Sequence, residues 1–193
     1  MRARTIVALT VSFVCWTSGC SKPKGAEYFP ELRDGASKVY SIEYNVPPTG
    51  VQKGRLAIRV DGTETINGKS YSKELTVPSG IPGAPTQTRF VRRDKTGIYA
   101  INGDDSTKTE YLEIPLPVQV GSSWTSKSPR GELHYRAEAI EAAQLFDRSY
   151  ENCLKVSFTS SVGEGYACHA PGLGMVRSVI KASGVTMELT LDK

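Results

Sequence analysis

Lys69-Ser70-Tyr71, followed by Leu75 and Val77, returns in the later part of the chain as Arg148-Ser149-Tyr150, followed by Leu154 and Val156. Phe90-Val91 with Gly97-Ile98 returns at almost the same offset as Ala167-Cys168 with Gly174-Met175. An earlier pair keeps the same order: Tyr28-Phe29-Pro30, Gly35 and Tyr40 against Ile114-Pro115-Leu116-Pro117, Gly121 and Trp124. Landmarks that hold their order at nearly constant spacing mark an internal repeat. The chain therefore reads as two similar halves, residues 27–108 and 109–193. A half of about 80 residues hides too little apolar surface to be robust alone, so the two are expected to share a core.

Each half is written in the two-residue period of β-structure. Tyr40, Ile42, Tyr44 and Val46 alternate with Ser41, Glu43 and Asn45, and Leu56, Ile58 and Val60 alternate with Ala57 and Arg59. Asn67-Gly68 stands between Thr63–Ile66 and Tyr71–Val77, a strong hairpin signal because the tight turn needs positive φ. Phe90–Arg93 and Ile98–Asn102 flank another turn. In the second half Leu154, Val156 and Phe158 alternate with Cys153, Lys155 and Ser157, and Met175–Lys181 meets Val185–Leu191 through Gly184. Tyr135–Phe146 is rich in Ala and Glu and favours helix on propensity alone. Its alignment with Leu56–Val60 instead predicts a strand over Leu133–Ile140 and leaves a short helix open at Glu141–Leu145. The expected fold is all-β: about a dozen antiparallel strands in two similar halves, forming a curved sheet, a half-barrel pair or a sandwich.

Composition narrows the function more than it names it. Eighteen Gly and 11 Pro scattered through the 193 residues exclude a coiled coil or helical bundle, and 39% hydrophobic residues exclude a disordered chain. The formal charge of +4 falls to +2 without Arg2 and Arg4, too little to suggest nucleic acid. The two histidines, His134 and His169, belong to no metal or nucleophile motif, and no phosphate loop is present. His134 reads as a surface residue. Asp104-Asp105 reads as a solvated acidic turn, and Arg92-Arg93-Asp94-Lys95 as a charged strand end. Cys168-His169 is no thiol–imidazole pair, because neighbours on a strand point to opposite faces. No enzyme activity, metal or cofactor is expected.

The first twenty residues carry the clearest signal. Arg2 and Arg4 precede an uncharged stretch, Thr5–Trp16, that is far short of the ~20 residues a membrane-spanning helix needs. Thr17, Ser18 and Gly19 then lead into Cys20. This resembles the lipobox of bacterial lipoproteins, with Thr17 where that family usually has an aliphatic residue. The resemblance implies a signal peptide over 1–19, cleaved ahead of a Cys20 that carries diacylglycerol and an N-acyl chain such as palmitate. A tether would follow over 20–26. Three acyl chains anchor firmly where one is marginal. Ser21 and Lys22, with no Asp after the cysteine, imply delivery to the outer membrane, on its periplasmic side.

Further motifs resemble a group of uncharacterised bacterial lipoproteins. These are Tyr28-Phe29-Pro30, Gly121-Ser122-Ser123-Trp124, Glu151–Val156 and the segment Ala170-Pro171-Gly172-Leu173-Gly174-Met175-Val176. More loosely, a lipid-anchored antiparallel β chain is similar to the Lol-like carrier and receptor lipoproteins of the envelope, which curve a sheet around acyl chains. The expected function is a non-catalytic envelope lipoprotein that binds or scaffolds an envelope component. The alternative is a carrier of a hydrophobic ligand in a concave β cavity. The expected partners are the membrane, through the anchor, and an envelope protein or lipid.

With Cys15 removed and Cys20 acylated, Cys153 and Cys168 remain, an even pair in an oxidising compartment, and a disulfide between them is expected. A turn centred between Ser160 and Ser161 sets them directly opposite. A turn one residue later opposes Cys168 to Lys155 and leaves the cysteines diagonal, where a bridge strains the strands.

Overall fold

The computed structural model describes residues 25–192 except residue 32. The signal segment 1–19, Cys20 and the tether as far as residue 24 lie outside the described residues. Alternation resolves into twelve strands: β1 (Ser37–Val46), β2 (Gly50–Ile66), β3 (Lys69–Ser79), β4 (Gln87–Arg93), β5 (Gly97–Asn102) and β6 (Tyr111–Pro115), then β7 (Ser123–Ser128), β8 (Gly131–Leu145), β9 (Arg148–Thr159), β10 (Gly163–Ala170), β11 (Gly174–Ala182) and β12 (Val185–Leu191). They form one antiparallel sheet in the order β6-β5-β4-β3-β2-β1-β12-β11-β10-β9-β8-β7. Two six-stranded meanders thus run outward from a central β1–β12 ladder that pairs Tyr40 with Leu191 and Ile42 with Leu189.

The order forces the sheet to curl. Flat, twelve strands would hold β6 and β7 about 50 Å apart. The connection between them, residues 116–122, reaches about 28 Å at most. The sheet therefore wraps into a nearly closed barrel whose two edge strands lie side by side. A side chain bridges the seam: the Trp124 indole N–H donates to the Glu113 carbonyl, 3.0 Å.

Two features of the sequence reading change. β6 pairs with β5, through Ile98–Ile114 and Ala100–Tyr111, so the first meander runs to Pro115 rather than ending at residue 108. β8 is a strand as far as Leu145, so the helix left open at Glu141–Leu145 does not form. Ala143, Gln144 and Leu145 find partners in Tyr150, Ser149 and Arg148, and ladder pairing there outweighs helix propensity.

Irregular pairing near Val60 in β2 and near Ala137 and Glu141 in β8 bends the two long hairpins. Each tip packs over the outer face of the strands that follow. Ile66 and Tyr71 cover Phe90 and Ile101, while Leu145 and Tyr150 pack with Cys153, Cys168 and Val176. Ile66 and Leu145, like Tyr71 and Tyr150, are separated by the same offset as Lys69 and Arg148, so the two tips are equivalent in the repeat.

One end of the barrel is plugged. A 3-10 turn, Gly25–Tyr28, leads into Phe29, and both Tyr28 and Phe29 are buried with Val118, Ala137, Leu154 and Val156. Arg93 donates to the carbonyls of Phe29 and Ala26, and the Gly172 N–H donates to Glu27 O at 2.8 Å. Gly25 is required here, because a Cβ would lie 1.8 Å from Val118 O. Gly25 and Ala26, expected within the tether over 20–26, belong to the plug.

Candidate functional site

Register decides which side chains share the concave face. Trp124 opposes Tyr135, Tyr135 opposes Phe158, Phe158 opposes Gly165, Gly165 opposes Ile180, Ile180 opposes Met187, and Met187 opposes Tyr44. These residues form one row around the inner wall from β7 to β1. Trp124 and Tyr135 stack with centroids 5.2 Å apart, and Phe158 tilts against Tyr135 at 6.1 Å. Phe158 lies over Gly165, whose missing Cβ would sit 2.6 Å from the ring. The side chains of this row are half-buried, whereas Tyr40, Ile42, Leu189 and Val156 on the same face are buried. The inner wall therefore offers accessible aromatic and aliphatic surface above a packed floor.

The inner face of the first meander also carries a polar cluster. Glu74, Arg89 and Asn102 oppose one another across β3, β4 and β5. Arg89 bridges two carboxylates, Glu74 at 2.7 Å and Glu113 at 3.0 Å. Glu74 is only 5% exposed, while the Arg89 side chain keeps 38% of its surface open. Glu113 and, beside it, Glu74 hold the Arg89 guanidinium firmly charged against the cost of burial. Tyr111 donates to Asn102 Oδ1 at 3.2 Å, and the buried Asn102 amide nitrogen finds no partner among the described residues. Tyr40 and Tyr135 share this inner face from other strands, and the Tyr40 hydroxyl donates to Met175 O at 3.0 Å. Burial pushes the Tyr40 hydroxyl up to about 12, and burial followed by Glu113 raises that of Tyr135.

The residues singled out in the sequence fall elsewhere. His134 is exposed, its ring nitrogen 3.0 Å from Thr125 Oγ1. Cys168 faces outward and His169 inward, on opposite faces of β10. The His169 ring packs 4.7 Å from Phe29, and burial, followed by the Lys38 charge, lowers its pKa to about 4. Asp104 pairs with Arg130 at 2.7 Å, and Asp105 accepts from Thr107 and Thr109 to shape its loop. Arg92 pairs with Asp94 and Glu110 and lies over the Tyr99 ring. Among the described residues no three His, Cys, Asp or Glu side chains are grouped to hold a metal ion.

Cys153 and Cys168 are two free, buried thiols in this structure. The β9–β10 register opposes Cys168 to Lys155, the diagonal arrangement in which a bridge would strain the strands. Burial, reinforced by Cys168, pushes the Cys153 thiol up to about 11, and burial raises Cys168 as well.

Sequence reasoning missed the Glu74–Arg89–Glu113 cluster. Its alternation was visible, since Glu74 neighbours Leu75 and Arg89 neighbours Phe90. What was hidden is that the apolar outward residues are covered by a hairpin tip, which leaves the polar set to face inward.

Fold and inner surface together define a class: an all-β, nearly closed antiparallel sheet with a plugged floor and an accessible inner wall. No protein-family model matches the chain, and no curated protein matches it. Among solved structures it is similar to a protein from Bacteroides fragilis described as exported and of YmcC-like fold. They share 14% identity, the match covers 84% of this chain and 97% of that one, and the TM-score is 0.51. It also aligns with a protein from Parabacteroides distasonis described as a lipoprotein (12% identity, 86% and 97% covered, TM-score 0.39). A LolA superfamily protein from Nitrosomonas europaea aligns at 10% identity, with 88% and 89% covered and a TM-score of 0.36. At so low an identity the first likeness is one of fold, a YmcC-like sheet.

Proposed function

We propose that this chain is a non-catalytic envelope lipoprotein, anchored through Cys20, that binds another envelope component on its inner wall. The half-buried row Trp124–Tyr135–Phe158–Ile180–Met187–Tyr44 carries the reading, because accessible apolar and aromatic surface on a concave wall is what a binding site supplies. The same row favours the carrier alternative, with one refinement. A pure hydrocarbon ligand would leave Arg89 and its carboxylates facing nothing polar, so the cargo would be amphiphilic, with its polar part at Arg89 and Asn102.

Two measurements test this. Cys20→Ala should abolish palmitate labelling and release the protein from the membrane fraction; equal label in wild type and variant removes the anchor. Native mass spectrometry of the protein taken from envelopes should show a bound component that Phe158→Ala loses while its melting transition stays cooperative. A bound mass unaffected by Phe158→Ala would move the site off the inner wall.

A further inference from the structure

The plug fixes the chain to one end of the barrel at Gly25, and only residues 21–24 separate that point from Cys20. Five Cα steps span about 18 Å at full extension. The polar headgroup layer of a bilayer leaflet is itself roughly 6 Å thick. If Cys20 is acylated, as proposed above, the plugged end cannot leave the neighbourhood of the headgroups.

That end carries three of the seven exposed large hydrophobic side chains among the described residues: Val120 (50% exposed), Ile140 (39%) and Leu173 (45%). All three flank the plug. Val120 lies two residues beyond Val118, whose carbonyl touches Gly25. Leu173 follows Gly172, the donor to Glu27 O. Ile140 opposes Leu154, which packs in the cluster of Tyr28 and Phe29.

We propose that the plugged end of the barrel is a membrane-contacting face, with Val120, Ile140 and Leu173 seated at the lipid interface around the tether. The inner wall then faces away from the anchoring membrane and receives its occupant from the aqueous side. The inference rests on acylation of Cys20 for its setting, and the experiment separates the two.

The lipidated protein is reconstituted into vesicles of phosphatidylethanolamine and tritiated phosphatidylglycerol. One photo-crosslinking residue is introduced per variant: Val120→p-benzoylphenylalanine, Leu173→p-benzoylphenylalanine and, at the opposite end, Val51→p-benzoylphenylalanine at the start of β2 and Val162→p-benzoylphenylalanine in the β9–β10 turn. Lipid adducts should form several-fold more at 120 and 173 than at 51 and 162. Equal adducts at both ends, or more at 51 and 162, overturn the proposal. A second arm uses the chain from Ser21 with an N-terminal hexahistidine tag, held on nickel-chelating vesicles. Adducts at 120 and 173 there, with equal palmitate label in wild type and Cys20→Ala, would keep the face and remove the anchor. Palmitate on Cys20 with adducts only at 51 and 162 would remove the face alone.

Discussion

His169 is the residue whose burial has the clearest chemical consequence. Its Nδ1 is buried with no hydrogen-bond partner among the described residues, its ring packs on Phe29 of the plug, and its pKa falls from 6.5 to about 4. The folded protein therefore resists a proton that the unfolded chain accepts. Stability is unaffected above pH 6.5, declines as pH falls from about 6.5 to about 4, and loses nothing further from this group below that. At 1.4 kcal/mol per unit the total is roughly 3 kcal/mol. Urea unfolding at pH 7 and pH 4.5 should show this loss in wild type and much less of it in His169→Gln. Glu110 acts in a lower window. Its pKa is depressed from 4.5 to about 2, chiefly by the hydrogen bond from Arg92, so its stabilisation is lost only as pH falls from about 4.5 towards 2. The two variants share that loss, so their difference between pH 7 and 4.5 reports His169.

At the scale of elements, the two bent hairpins are the same device built with different turn chemistry. The β2–β3 turn uses Asn67-Gly68, with φ of 51° and 76°. The β8–β9 turn puts Phe146 where the first has Asn67, also at φ 51° and 71% exposed. A bulky side chain is strained in the left-handed region, whereas Asn tolerates it. Phe146→Asn should therefore stabilise the protein by about 1 kcal/mol, read from the urea midpoint. A destabilised variant would show that Phe146 contributes contacts exceeding the strain. The neighbouring cysteine pair gives a second expectation. With Cys168 opposed to Lys155, two thiols should titrate with Ellman's reagent in unfolded, unreduced protein. The folded protein should react slowly, because burial holds both thiols protonated at neutral pH. Absence of both thiols after unfolding would establish a bridge and require the strands to shift.

The whole molecule depends on both meanders at once. The plug residues Tyr28 and Phe29 join Ile98 and Ile114 of the first meander to Ala137, Leu154 and Val156 of the second, and the central ladder joins Ile42 to Leu189. Either meander alone would expose two unpaired edges and half an inner wall. The isolated segment 25–115 should aggregate or lack a cooperative melting transition. A sharp transition in that fragment would show that the core is not shared.

Local sequence was enough for the strands, because alternation and turn chemistry are read over a few residues. Tyr40, Ile42 and Tyr44, the Asn67-Gly68 turn and the returning Lys/Arg-Ser-Tyr motif determined an all-β chain of repeated hairpins. They did not determine which face of each strand turns inward, because a period of two has two equivalent faces until a partner covers one of them. Only tertiary structure settled that Phe90 and Ile101 lie under a hairpin tip while Arg89 and Asn102 look into the barrel. The same holds for Ala143 and Leu145, whose helical preference yields to strand partners in β9, and for Cys168, whose partner was fixed by one residue of turn register. Closure itself was a question of distance: a short connection between β6 and β7 curls twelve strands into one wall, and no single strand carries that information.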